Sequence, residues 1–397
     1  MTDPRDALIT GVGLVSSLGE GLDAHWAALD RPDGGFRPIL ETEKFAPFAV
    51  HPMATLELDR QIPKRGDQRQ MEGWQRIGTF AAGLALEQAG VKGDAALLAR
   101  TDMIVAAGGG ERDYAVDAAI LSALPHADRP EVLLNERLMA DLRPTLFLAQ
   151  LSNLLAGNIS VVHGVVGSSR TFMGEEAAGV DAVRIACARI AAGQGDLILV
   201  GASYNAERPD VLLEYAMGRL LWRDGYKPVW ERQSEGGGLV LGSVGCFLVI
   251  ESRAHAAARG ARPLARIVAV TSDRSRRSPG AARAVAARQL AAIRPALDER
   301  AAAVVSGASG APEPTVEEQG FLGELGLPVR ATASALGHSL EPSFPAAIAL
   351  ATKALSQGRL FAPLEIGEAP MSGALRQVLV TSWGHWRGEG MALVEAV

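Results

Sequence analysis

The feature that most narrows the fold of this chain is an internal repeat. "VRIACARIAAGQGDLILV" (183–200) and "PAAIALATKALSQGRLFAPL" (345–364) both read as a small-residue helix, a Gln-Gly turn and a strand, in the same relative place. Around them, short β-branched runs alternate with alanine-rich helical stretches, the pattern of a mostly parallel sheet covered by helices. Strands are expected at 7–15, 102–110 and 196–203, and again at 266–273 and 302–310, with helices at 74–91 and 280–298. "GLVLGSVGCFLVIES" (238–252) reads as two strands meeting at a tight turn, Gly242 to Gly245. The tail "RQVLVTSWGHWRGEGMALVEA" (376–396) reads as two strands around a glycine turn. The chain therefore divides into two α/β halves of related order, 1–253 and 254–397, bridged by the charged helix at 252–262.

At 397 residues, 48% of them hydrophobic, the chain has ample material for a large core. Its net charge of −6 and lack of a basic tract argue against a nucleic-acid partner. The dense run Arg274, Arg276 and Arg277 is short and reads as a solvated loop. Cys187 and Cys246 form no disulfide framework and lie in no metal-ligand spacing, so neither a metal nor a cofactor is expected. "GGGERD" (108–113) follows a strand but lacks the spacing of a dinucleotide or phosphate loop. No apolar run is long enough to span a membrane, and the opening "MTDPRDALIT" lacks the pattern of a signal peptide. A cytoplasmic protein is the expectation.

Longer stretches carry a resemblance. "LITGVGLVSSLGEGLDAHWAAL" (8–29) and "IPKRGDQRQMEGWQRIGTFAAGLALEQAGV" (62–91) resemble the opening of β-ketoacyl-acyl-carrier-protein synthases. "LSNLLAGNISVVHGVVGSS" (151–169), "KPVWERQSEGGGLVLGSVGCFLVIES" (227–252) and "ATASALGHSLEPSFPAAIALATKAL" (331–355) resemble their central and later segments. The resemblance implies a thiolase-like fold, with two duplicated α/β halves in a five-layer αβαβα arrangement that is normally dimeric. It also implies four catalytic parts: a cysteine thiolate at a helix N-terminus, two histidines, a lysine-supported network and a glycine loop near the C-terminus.

Laid on the family pattern, these parts are altered one by one. Matching Gly157, Gly164, Gly167, Gly193 and Asp196 puts Glu176 at the nucleophile. The first histidine falls on Ser309 and the lysine on Ala333, while the second histidine is kept as His338. The glycine loop falls on "GHWRGE" (384–389), where Trp386 and Arg387 replace glycines. A carboxylate is a far poorer acyl acceptor than a thiolate. Cys187 lies about three helical turns beyond Glu176, too far along the helix to replace it.

The pattern implies a condensation-incompetent paralogue, similar to the cysteine-less chain-length factors that pair with a catalytic synthase in fatty-acid, polyketide or polyene elongation. The alternatives are an active 3-oxoacyl-carrier-protein synthase, or a non-enzymatic homodimer that binds an acyl chain or carrier protein. Partners implied are a catalytic paralogue (or a second copy) and acyl carrier protein. Trp383, His385, Trp386 and Arg387 are candidates for lining an acyl pocket. Glu175 reads as an ordinary helix N-terminal acid. Glu176, if buried there, needs a cation to stay ionised, and Arg387 or His338 would supply it.

Overall fold

The computed structural model describes residues 3–31, 35–276 and 278–397; Arg277 of the arginine run lies outside them. Ten strands form the body of the sheet: β1 (Ala7–Ser16), β2 (Asp102–Ala106), β3 (Ser169–Phe172), β4 (Leu197–Tyr204), β5 (Val244–Ser252), β6 (Ala265–Asp273), β7 (Ala302–Ser306), β8 (Val329–Ala331), β9 (Gln377–Trp383) and β10 (Glu389–Glu395). Six helices cover or divide it: α1 (Gly73–Gln88), α2 (Leu154–His163), α3 (Glu175–Ala191), α4 (Ala281–Ile293), α5 (Pro312–Leu325) and α6 (Ser343–Gln357).

The strand order exposes the duplication. One half runs β1-β5-β4-β2-β3, the other β6-β10-β9-β7-β8. In each half the first two pairings are antiparallel and the last two parallel. The halves meet where β1 pairs antiparallel with β6, with Leu8 opposite Arg266. Helices α1 and α2 cover one half of the sheet, α4 and α5 cover the other, and α3 and α6 lie between the two halves. This is the five-layer, thiolase-like architecture.

The middle layer dictates its own composition. A helix between two sheets must be apolar all round and thin where backbones approach. Helix α6 is buried along nearly its whole length, and α3 presents Ala177, Ala178, Gly179, Ala182 and Ala186 to the core. A Cβ on Gly179 would stand 2.1 Å from the carbonyl oxygen of Glu341, so only glycine fits that crossing.

Two expectations change. The apolar run after α6 is not a strand: the helix stops at Gly358 in the left-handed conformation, and Leu360, Phe361 and Leu364 are buried as irregular chain. The strand matching β4 is β9, further along, because a short apolar run signals burial without fixing backbone pairing. Leu241–Gly242 does not turn back onto β5; it pairs with Val50–His51 in a separate small sheet. The tail, by contrast, is the expected antiparallel pair, β9 and β10. Arg274 and Arg276 are exposed. Among the described residues no helix is long and apolar enough to cross a membrane.

Candidate functional site

Three segments converge at the start of α3. The chain enters through Gly174 at φ 133°, and Glu175 follows at φ 57°, a backbone conformation uncommon for any residue with a side chain. That entry turns Glu176 inward, where it is 1% exposed. From the second half, β9 ends at Trp383 and a tight loop follows, closed by Gly384 N–H donating to the Gly388 carbonyl at 2.8 Å. The loop brings His385 over Glu176. Its backbone N–H donates to Oε1 at 3.0 Å, and its ring Nδ1 meets the same oxygen at 2.8 Å. A Cβ on Gly384 would lie 2.3 Å from the Arg387 carbonyl oxygen and 3.1 Å from Glu176 Oε2. The third segment carries His338, held by its backbone to Val240 and Gly242. Its Nε2 lies 2.6 Å from Glu176 Oε1.

The electrostatics favour a buried carboxylate. Burial opposes ionisation of Glu176 most strongly, yet the close imidazoles of His385 and His338 prevail and hold its carboxyl well below the usual range. The neighbouring acids go the other way. Burial pushes Glu175 up, and pushes Glu341 up to about 7, with the charge of Glu176 adding to that shift. Tyr215 packs edge-on to the His385 ring at 5.3 Å between centroids. Beyond it opens a cleft of about 400 Å³ whose walls include Tyr204, Arg208, Asp210, Glu175 and Glu341. Leu340, also on the cleft, has φ 56°. Two side-chain-bearing residues at positive φ beside one buried cluster mark a locally strained site.

The structure joins some of the positions named from sequence and separates others. Glu176 and His338 are together. Ser309 is buried, its Oγ accepting from Ala311 N–H just before α5. Ala333 packs with Val229, Ala308 and Ala331. Trp383 is buried against Phe321 in the outer core of the second half, not over the cluster. Trp386 is 67% exposed. Arg387 is corrected as a partner: it is exposed, and among the described residues it forms no ion pair with Glu176. In a loop of five residues closed on itself, neighbouring side chains point in different directions, and here His385 takes the inward one. That role was missed because the sequence shows a histidine in the loop but not which residue the closure turns inward.

Neither thiol is poised to act as a nucleophile. Burial pushes Cys187 up to about 12 and Cys246 higher still. "GGGERD" is a packed loop: Glu111 accepts from Trp74 N–H and from the Asn205 amide, both at 2.9 Å.

Residues 5–256 match the family model described as "Beta-ketoacyl synthase, N-terminal domain". The chain is similar to 3-oxoacyl-[acyl-carrier-protein] synthase 2 of Vibrio cholerae, 24% identical over 66% of this chain and 62% of that protein's length. It is also similar to a Streptomyces coelicolor protein named as beta-ketoacyl synthase 2 of the actinorhodin polyketide, 26% identical over 96% of both chains. Among solved structures it is similar to the ishigamide ketosynthase/chain length factor, with a TM-score of 0.78 at 20% identity over 99% of both chains. With more than half its length matched by the family model, the chain belongs to the β-ketoacyl synthase family.

Proposed function

We propose that the chain is a condensation-incompetent β-ketoacyl synthase paralogue, working as the partner of a cysteine-bearing synthase in fatty-acid or polyketide chain elongation. The observation that carries this reading is Glu176. It occupies the position where the family resemblance calls for the nucleophile, and it is buried beneath two histidines that both contact one of its oxygens. A carboxylate so held is a poor nucleophile toward a thioester: one oxygen is engaged by both rings, and the anhydride it could form would reverse or hydrolyse. The positions that the resemblance gives to the first histidine and the lysine carry Ser309, whose Oγ accepts from Ala311 N–H, and the apolar Ala333.

Two further observations support a partner role. Strand β3 is the free edge of the first half, and Val166 and Met173, which flank it in the chain, are exposed apolar side chains. An edge strand with apolar neighbours is a surface that soluble proteins generally cover. The fold also matches a ketosynthase/chain length factor over nearly the whole of both chains. On this reading carrier protein docks mainly on the catalytic partner, and residue 253 closes the first half.

Co-expression with the cysteine-bearing synthase of the same genome tests the assignment. A stable one-to-one complex is expected by sedimentation. A chain that remains monomeric, or pairs only with itself in the presence of that synthase, contradicts it. Self-pairing alone would favour the homodimeric acyl- or carrier-protein-binding alternative.

A further inference from the structure

We propose that Glu176, His338 and His385 form a binding site for a first-row divalent metal ion, of which zinc fits the donor set best. The three side chains come from three separate segments, all buried, and their potential ligand atoms lie within 4.8 Å of one another. Two imidazoles and one carboxylate make a donor set that suits Zn²⁺ and Fe²⁺, and leave coordination positions for water or another donor.

Hydrogen bonding within the cluster leaves two buried atoms without a partner. Glu176 Oε2 has no hydrogen-bond donor, and His338 Nε2, although 2.6 Å from Oε1, is not aligned for a hydrogen bond. Buried polar atoms are rarely left so, since each unpaired one is costly. A cation between them would satisfy both. The spacing requires little change. Zn–N and Zn–O distances of about 2.0–2.2 Å place tetrahedral ligands roughly 3.3 Å apart. The present contacts of Oε1 with the two rings are 2.6 and 2.8 Å.

The surroundings also suit a cation. Metal-bound histidines commonly turn their other ring nitrogen toward a carboxylate, which fixes ring orientation. Here Glu175 Oε1 lies 3.9 Å from His385 Nε2, on the side of the ring away from Glu176. Glu175 and Glu341 bring two more acids close enough to interact electrostatically with Glu176. The cleft beyond Tyr215 has Glu175 on its wall and gives an approach from solvent. This inference goes beyond the partner-subunit reading, and metal binding decides it alone.

The full chain, stripped with a chelator and dialysed, is titrated with Zn²⁺ in competition with a chromophoric chelator, and separately with Co²⁺. The expected result is roughly one equivalent of Zn²⁺ bound. Visible absorption from Co²⁺ should report ligation by nitrogen and oxygen. His338→Ala and His385→Ala should each weaken Zn²⁺ binding at least ~10-fold, and Glu175→Gln, which leaves the buried donors in place, about 10-fold. Zn²⁺ should raise the Tm of the wild-type chain and not that of His385→Ala. Should a histidine variant fail to fold, the wild-type titration and Glu175→Gln still decide the matter. Substoichiometric binding by the wild-type chain overturns the proposal. So does Zn²⁺ affinity unchanged by all three substitutions.

Discussion

His385 meets one oxygen of Glu176 twice, through its backbone N–H at 3.0 Å and its ring Nδ1 at 2.8 Å. The first contact belongs to the loop and the second to the side chain, so the loop after β9 and the start of α3 are fastened at a single atom. Because α3 belongs to the first half of the chain and β9 to the second, this clamp also ties the duplicated halves together.

Removing the acid should therefore destabilise the whole molecule. Glu176→Ala strips the acceptor from His385 and leaves two imidazoles facing one another in a buried space. Hydrogen bonds to charged groups are worth about 1.5–3 kcal/mol each, so a loss of about 3 kcal/mol is expected. Glu176→Gln keeps an acceptor oxygen for His385 and should cost about 1 kcal/mol. Denaturant unfolding of both variants checks this, and an alanine variant as stable as wild type contradicts it.

Gly179 tests the packing that delivers Glu176 to the site. A methyl group there would sit 2.1 Å from the Glu341 carbonyl oxygen, where neither backbone can easily give way. Gly179→Ala should lose about 1–3 kcal/mol, the range of overpacked core sites. Gly157→Ala in α2 is the control. Its Cβ would meet nothing closer than 3.7 Å, so the helix should gain about 0.5–1 kcal/mol. The two alanines thus carry opposite signs in the same unfolding assay.

Glu341 gives a pH signature. Burial, together with the nearby carboxylates Glu176 and Glu175, raises its carboxyl from 4.5 to about 7. A carboxyl raised on folding contributes fully below its unfolded value, and that contribution is lost as pH rises through about 7. Glu341→Gln cannot ionise. Relative to wild type it should gain up to about 3 kcal/mol at pH 8 and nothing at pH 4. A stability difference independent of pH would refute this.

Arg387 is expected to be dispensable for stability. Its side chain is exposed and forms no ion pair with Glu176, so Arg387→Ala should change unfolding by no more than about 0.5 kcal/mol. A loss several times larger would restore the arginine to the cluster.

Arg387 also shows where reading the sequence stops. The alignment of Glu176 with the nucleophile position rests on the flanking glycines, and that of His338 on the segment 331–355 around it. The partner of Glu176 was not legible. An arginine introduced into a glycine loop suggests an ion pair, but the loop turns His385 inward and Arg387 outward, and that depends on the Gly384–Gly388 closure. The two halves were visible because helix and strand periodicity repeats along the chain. The run at 359–364 misled because burial without pairing has the same apolar signature as a strand. Trp383 followed similar logic: one position decides whether a strand-end aromatic faces the site or the outer core, and here it faces the core.

The proposed role requires that this site cannot condense acyl chains. The most direct test is malonyl-dependent extension of an acyl-carrier-protein substrate by the purified chain, measured beside Glu176→Cys. The substitution supplies a thiol at a helix N-terminus, where its thiolate form is favoured. It leaves Ser309 and Ala333 in place, and residues acting as one catalytic unit are not restored singly. Neither protein should form extended product above a no-enzyme control, even where the introduced thiol can be alkylated. Turnover by the wild-type chain would contradict the account outright, and turnover by Glu176→Cys would show that the acid alone keeps the site inactive.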